Sequence, residues 1–227
     1  MKNNLDIKNS FLKFGEFQKI DNNTKEFDPR QIKSLDPSSQ SIHLTFDMCP
    51  TKELELPIIE YLIKNKINAT FFINVKWLEN NSDKDLSFMK NPLFSIGGHG
   101  FNHIDPMKES DDEQNSDIDK CLEFWKGQGI EIKWYRVPHG HPTENVLNYF
   151  EDKGLKCASW KGPVFDKKSK YTHYNPNEVA KHYIDRSLKS GDILIMHANG
   201  EGDNTLDILK MLVKKTKDIG LGFSKLV

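Results

Sequence analysis

Side chains that can bind metals or transfer protons stand directly after several short apolar runs. Asp47 follows such a run in "LTFDMCP", and His99 and His103 lie four residues apart in "GGHGFNH". Arg136 lies in "WYRVPHGHP", and His197 ends the apolar run of "DILIMH". Imidazoles and carboxylates hold divalent cations and exchange protons with substrates. These residue types therefore indicate acid–base or metal-assisted chemistry, provided that the fold brings them together.

Taken singly, each of these residues has a simpler interpretation. Gly100 stands where the helix of a zinc protease needs a glutamate, so that motif is excluded, although a glycine loop still lets two imidazoles converge on one ion. As an isolated pair, His99 and His103 are typical of surface or packing histidines, and Arg136 is typical of a strand-end surface charge. His197 is equally consistent with a hydrogen-bonded core histidine.

Strand and helix patterns alternate along the chain from residue 41. This alternation predicts a parallel α/β sheet, either doubly wound or closed as a barrel. The stretch "GGHGFNH" lacks the spacing of a dinucleotide loop, which weakens the doubly wound alternative. Strands are predicted in 41–47, 67–75, 92–98, 130–138, 155–160, 192–198 and 221–227, and helices in 53–66, 118–125, 143–154, 176–191 and 206–220.

The positions of the chemically capable residues favour the barrel. Asp47, His99, Arg136, Trp160 and His197 each lie at or just past the C-terminal end of a different predicted strand. Parallel barrels build their active sites from these ends, which all meet on one face. The five residues are therefore expected to surround one site.

Composition limits the classes of function. The 227 residues contain 37% hydrophobic residues and carry a formal net charge of -1, so a globular domain without a nucleic-acid partner is expected. Three separated cysteines suggest reduced thiols. No apolar run is long enough to cross a membrane, and the chain as given is expected to be cytoplasmic, or exported if a signal peptide was removed. Residues 1–40 are predicted to be a polar N-terminal extension of a domain at 41–227.

In this order along the chain, the motifs resemble those of the polysaccharide deacetylase family, the NodB-homology carbohydrate esterases. Its marks T-F-D-D-G, H-[ST]-x-x-H, R-x-P-[YF]-G, a stretch with Asp and Trp, and L-x-H here read "TFDMC", "HGFNH", "RVPHG", "SWKGPVFD" and "ILIMH". The resemblance implies a distorted (β/α) barrel of about seven parallel strands. It also implies hydrolysis of N- or O-acetyl groups on a carbohydrate, with a divalent metal, zinc above all, as cofactor.

The resemblance also assigns four residues to catalysis. Asp47 matches the general base, which takes a proton from the attacking water, and His197 matches the general acid, which protonates the leaving amine. Arg136 would pair with Asp47 and orient it. Asp166 matches, with a looser spacing, the acid that orients the catalytic histidine.

Five further residues match binding positions of the family. His99 and His103 correspond to the metal-binding histidines. The backbone N–H of His139 corresponds to a donor for the tetrahedral oxyanion. Trp160 and Ile195 correspond to the walls of the pocket for the acetyl methyl group.

The chain departs from the family at its first motif. Met48 replaces the acid that is the third metal ligand, and a thioether does not substitute for a carboxylate on zinc. Three outcomes follow: the two histidines hold the ion with water or Asp47, another side chain completes the site, or no metal binds. The side chains considered for completion are Cys49, His43 and His141. Cys49, Gly100 and His139 also replace family residues, so the glycan is not predicted from the resemblance.

Three alternatives stand beside a carbohydrate deacetylase. Loss of the acid at Met48 is consistent with a catalytically degraded protein that binds a carbohydrate without turnover. A cytoplasmic domain without enzymatic activity would contain the same motifs by coincidence. Within the hydrolases, a deacylase that acts on another sugar amide, such as a formamide, is the nearest alternative.

Overall fold

The computed structural model describes residues 28–50, 54–162, 164, 166, 181, 183–200 and 204–227. The chain divides into two units, Met1–Gln31 and Ile32–Val227. In the described part of the first unit, the Gln31 N–H donates to the Asp28 carbonyl at 3.0 Å. Residues 1–27 of the predicted N-terminal extension lie outside the described residues. Its boundary at residue 40 therefore stays a prediction.

The strands form one sheet in which seven follow the order β1-β6-β5-β4-β3-β2-β7 and an eighth, β8, pairs with β2. All the described pairings among the strands from β2 to β8 are parallel. The predicted α/β class with about seven parallel strands is thus confirmed. The strands are β1 (Gln31–Ile32), β2 (Ser41–Met48), β3 (Ala69–Ile73), β4 (Phe94–Gly98), β5 (Trp134–Tyr135), β6 (Lys156–Ala158), β7 (Ile193–His197) and β8 (Gly222–Phe223).

The last residue of β1 and the residue after it bond to the chain on either side, which connects the two ends of this strand path and curls the sheet. Ser159, just past β6, donates its N–H to the Ile32 carbonyl at 2.8 Å. Ile193, the first residue of β7, donates to the Lys33 carbonyl at 3.1 Å. The C-terminal strand ends consequently surround a common centre, as in a barrel.

Five helices whose bounds fall within the described residues cover the outside of the sheet and shield an apolar core. On β2, Leu44, Phe46 and Met48 belong to this outer core, whereas Thr45 and Asp47 alternate with them and face the interior of the curled sheet. None of the helices in the described part combines the length and apolar character needed to span a bilayer. The helices are α1 (Leu56–Lys64), α2 (Val75–Asn80), α3 (Asp111–Gly127), α4 (Glu144–Lys153) and α5 (Thr205–Asp218).

Two predicted strands are much shorter than expected. The strand predicted over 130–138 is reduced to β5, because only Trp134 and Tyr135 have strand partners in β4 and β6; Pro138, which has no N–H, starts a 3-10 turn. The strand predicted over 221–227 is reduced to β8, because the N–H of Leu226 goes to the Thr70 side chain. The helix predicted over 176–191 lies partly outside the described residues, and residues 183–186 are helical.

Candidate active site

A cavity of about 300 Å³ opens at the C-terminal ends of the strands. Seven of the nine residues predicted for the site line this cavity, and the other two, Arg136 and Asp166, lie behind them in contact with Asp47 and His197. The structure therefore brings all nine together. The cavity is lined by Asp47, Cys49, Pro50, His99, His103, His139, Gly140, Trp160, Val164, Ile195 and His197.

Asp47 and Arg136 form a buried ion pair. Arg136 Nη1 donates to Asp47 Oδ1 at 2.8 Å, and the two side chains are only 1% and 6% exposed. The same nitrogen donates to Thr45 Oγ1 at 2.8 Å, and Nη2 donates to the Ser159 carbonyl at 3.1 Å. The guanidinium carbon lies 4.3 Å from the ring centroid of Phe72. Arg136 is thereby fixed on all sides and orients the carboxylate.

The pair keeps Asp47 ionised inside the protein. Burial by itself raises the pKa of Asp47, but the positive charge of Arg136, together with His99 and His197, brings this pKa below its ordinary value. A carboxylate in this state accepts protons and donates none. Its second oxygen, Oδ2, faces His99 Nε2 at 3.7 Å and is the atom on the cavity side.

His197 lies beside Asp47 because β2 and β7 are adjacent, with Asp47 and His197 paired in register. Asp166, which is fully buried, accepts from His197 Nδ1 at 3.0 Å and from the His197 backbone N–H at 2.5 Å. Thr205 Oγ1 donates to the same carboxylate at 2.9 Å. The bond at Nδ1 fixes the imidazole ring and leaves Nε2 as the nitrogen for a ligand in the cavity.

His99 is held in the form that binds metals. Its Nδ1 lies 2.8 Å from the Arg136 carbonyl, and a carbonyl only accepts, so Nδ1 carries the proton and Nε2 carries the lone pair. Burial lowers the pKa of His99 and outweighs the nearby Asp47 carboxylate, which raises it. The lowered pKa favours the neutral ring, which is the form that binds a metal.

His103 approaches His99 because the loop between them turns sharply. His103 has φ 60°, a left-handed conformation that is rare for residues other than glycine, and Gly100 has φ 78°. The centroids of the His99 and His103 rings are 4.9 Å apart, and His139 stacks edge-on against His103 at 4.8 Å. Strain of this kind persists where the surrounding structure holds the backbone in place.

Two buried residues that sequence reasoning missed hold this loop. Asn74 donates from Nδ2 to the carbonyls of His99, Gly100 and Phe101 at 3.0–3.2 Å. Asp117 accepts from the backbone N–H groups of Phe101 and Asn102 at 2.8 Å each. The sequence contains a signal for each of them. Asn74 directly follows β3, at a C-terminal strand end like those where other site residues of this fold stand.

The signal of Asp117 is an acid within an apolar stripe. It precedes Cys121 by four residues, and the spacing i, i+4 places both on the face of α3 that packs on the sheet. A buried carboxylate there requires partners, and the loop with the two histidines supplies them.

Cys49 is the side chain among Cys49, His43 and His141 that lies with the two histidines. The ligand atoms of Cys49, His99 and His103 all lie within 4.8 Å of one another. His141 does not line the cavity; its side chain is 58% exposed, and its Nδ1 lies 3.5 Å from Asp105 Oδ1. His43 is buried within the sheet and does not line the cavity. A thiol and two imidazoles on one face suit a tetrahedral divalent ion with an open position, so the residues present fit a metal.

A scan of protein families matches residues 34–158 to the polysaccharide deacetylase model. The peptidoglycan-N-acetylglucosamine deacetylase of Bacillus cereus is 25% identical over 188 residues, which cover 80% of this chain. The chain spans 65% of the length of that relative and 49% of another one from Bacillus subtilis.

Solved structures with the same fold include both an enzyme and a protein described as a pseudoenzyme. The Bc1960 peptidoglycan N-acetylglucosamine deacetylase superposes with a TM-score of 0.73 at 21% identity, covering 87% of this chain and 91% of that one. A pseudoenzyme of carbohydrate esterase family 4 from Bacillus anthracis superposes with a TM-score of 0.69 at 21% identity, covering 88% and 68% of the two chains. Both likenesses support the barrel described above.

Proposed function

Because the chain belongs to the polysaccharide deacetylase family, we propose that it is a hydrolase that removes acetyl groups from a carbohydrate. Residues 41–227 would form the catalytic domain. The bond cleaved is the C–N bond of an N-acetyl group, with O-acetyl esters as further substrates. This chemistry requires a base for water, an acid for the leaving group and an electrophile for the carbonyl oxygen.

The observation that carries the proposal is that one cavity contains both a base and an acid, and that each is oriented by a buried partner. Asp47 is paired with Arg136, and His197 is paired with Asp166. The register of β2 and β7 places Asp47 and His197 side by side. A protein without turnover has no need for both pairs, since each contains a buried charge that costs free energy.

Asp47 acts as the base in this proposal. Oδ1 is occupied by Arg136, so Oδ2 takes the proton while the water oxygen bonds to the acetyl carbon. The backbone N–H of His139 is the proposed donor to the oxyanion that forms. Trp160 and Ile195, which line the cavity, enclose the acetyl methyl group.

His197 acts as the acid. In its protonated form, Nδ1–H bonds to Asp166 and Nε2–H donates to the amine nitrogen while the C–N bond breaks. The Asp166 carboxylate stabilises this imidazolium, and Thr205 Oγ1 holds the carboxylate. Acetate and a free amine are the products, and Asp47 and His197 exchange their protons with solvent for the next turnover.

His99 and His103 are the proposed metal-binding histidines, with zinc as the metal. When bound, a divalent metal polarises the acetyl carbonyl and lowers the pKa of water. The neutral ring of His99 and the close approach of His103 support this assignment. Asn74 keeps the loop in the conformation that brings the two rings together.

A second candidate is a carbohydrate-binding protein that has lost turnover. Met48, where the family has a metal-binding acid, is the observation that favours it. A pseudoenzyme among the proteins of this fold agrees with such a loss. The retained pairs at Asp47 and His197 favour the enzyme, since a decayed site has no use for them.

Acetate release from N-acetylglucosamine oligomers and from peptidoglycan tests the proposal, with N-formylated oligomers measured in parallel. Activity should disappear on chelation and return with zinc. Asp47→Asn should lower kcat at least about 100-fold, measured on protein that circular dichroism shows to be folded, because the change also leaves Arg136 without its partner. Asp119→Asn is the matched control, because Asp119 pairs with Lys153 on the surface.

The outcomes separate the candidates. Acetate release that depends on Asp47 supports the deacetylase, and formate release alone supports a deformylase. The binding protein is supported, and the hydrolase refuted, if calorimetry shows that the oligomers bind but no acetate or formate is released with any added metal.

A further inference from the structure

Cys49 lies beside His99 and His103, although the family motif puts its metal-binding acid at the position of Met48. Met48 has no exposed surface and packs in the outer core, on the far side of β2 from the cavity. Cys49 lines the cavity, and its Sγ lies 3.8 Å from His99 Nε2. The chain turns after the end of β2, and this turn brings the residue after Met48 to the histidines.

The cysteine is held in place from behind. Asn199, which is completely buried and lies two residues past the end of β7, donates from Nδ2 to the Cys49 carbonyl at 2.9 Å. Asn74 donates its N–H to the Met48 carbonyl at 3.1 Å. Neighbouring hydrogen bonds that fix the backbone of a ligand are a regular feature of metal sites.

The two imidazoles supply an independent indication of a ligand at this place. The bond from His99 Nδ1 to the Arg136 carbonyl aims the lone pair of Nε2 toward Cys49 and Asp47. His103 adopts a left-handed backbone conformation that brings its ring to the same place. Cys49 is thus a member of a three-donor cluster on two different loops.

We propose that Cys49, as a thiolate, is the third metal ligand beside His99 and His103. The inference rests on the proposed function for the presence of a metal, and it adds the chemistry of the site. A thiolate is a soft donor that favours zinc over magnesium, manganese and calcium. The chain would therefore have a zinc-selective site where the family motif calls for a harder carboxylate.

Cobalt(II) provides a direct test on the full-length protein after metal removal. Cobalt bound to a thiolate gives a charge-transfer band in the near ultraviolet, whereas cobalt bound to imidazole and oxygen does not. We expect the band to saturate at one cobalt per chain and zinc to abolish it. Cys49→Ser should lose the band and lower zinc affinity at least about tenfold.

Two variants make the test specific. Cys157→Ser is the matched control, since Cys157 is another buried cysteine and does not line the cavity, and it should keep the band. Cys49→Asp should bind cobalt without the band and bind manganese more tightly than the parent. Should Cys49→Ser not fold, zinc protection of Cys49 against alkylation in the parent protein, mapped by mass spectrometry, gives the same information.

Different results would refute the thiolate ligand and the proposed function. Cobalt that binds without the band, or a band that persists in Cys49→Ser, overturns the thiolate ligand even where acetate release depends on zinc. A band that depends on Cys49, in a protein that releases no acetate or formate, supports the thiolate ligand and refutes the hydrolase.

Discussion

Replacing Arg136 by methionine tests what the buried ion pair contributes. The change keeps most of the side-chain volume and removes the guanidinium that holds Asp47 Oδ1 at 2.8 Å. Breaking one side of a buried pair costs about 3–5 kcal/mol, because the remaining charge stays buried without compensation. We expect Arg136→Met to lower the free energy of unfolding by about this amount.

The double variant Asp47→Asn, Arg136→Met separates stability from chemistry. It removes both charges, so no uncompensated carboxylate remains, and much of the lost stability should return. The coupling between the two sites should reach about 2–3 kcal/mol, the upper range for residues in direct contact. Turnover should not return, because the base is absent.

Urea unfolding of metal-free protein gives the stabilities, and acetate release gives the turnover. Arg186→Met is the matched control, since Arg186 is exposed, and it should change neither quantity. Additive losses, with a coupling below about 0.5 kcal/mol, would refute the ion pair as described. Turnover within a few-fold of the parent in the double variant would refute Asp47 as the base.

Three further substitutions probe the groups around the pair. Asp166→Asn should lower kcat at least about 100-fold, because the imidazolium of His197 loses its stabilising charge. The loss should be larger on amides than on activated esters, and equal losses on both substrates would argue against the acid role. Asp117→Asn should weaken zinc binding about 10- to 100-fold by calorimetry, while Asp112→Asn, on the exposed face of the same helix, should not. Met48→Asp should lower the unfolding free energy by several kcal/mol, about the cost of an unpaired buried charge, and should not strengthen zinc binding, since position 48 packs in the core.

The alternation of strands and helices was predictable because each element has its own period. The apolar stripe of α3 and the run of β7 needed no tertiary information. The lengths of β5 and β8 did need it, since a strand ends where its neighbour stops offering partners. Leu226 continues an apolar pattern, yet its N–H bonds to a side chain of β3 and not to a strand backbone.

The members of the site were predictable because the C-terminal ends of parallel strands converge. That rule brings Asp47, Arg136 and His197 together from strands that are distant in sequence. The support behind them was not predictable in this way. Asn74 and Asp117 act through backbone groups of another loop, and the sequence carries no record of which backbone a buried polar side chain contacts.

Cys49 shows that the residue aligned with a motif position and the residue that lies at the site in the structure can differ. Along β2, side chains alternate between the helices and the interior, so the residue after Asp47 points toward the core unless the chain bends. Met48 obeys this alternation and is buried among apolar side chains. A thiolate at Cys49 has the same formal charge as the acid it would replace. The electrostatic surroundings of Asp47 would therefore be conserved by the exchange, and only the preference for the metal would change.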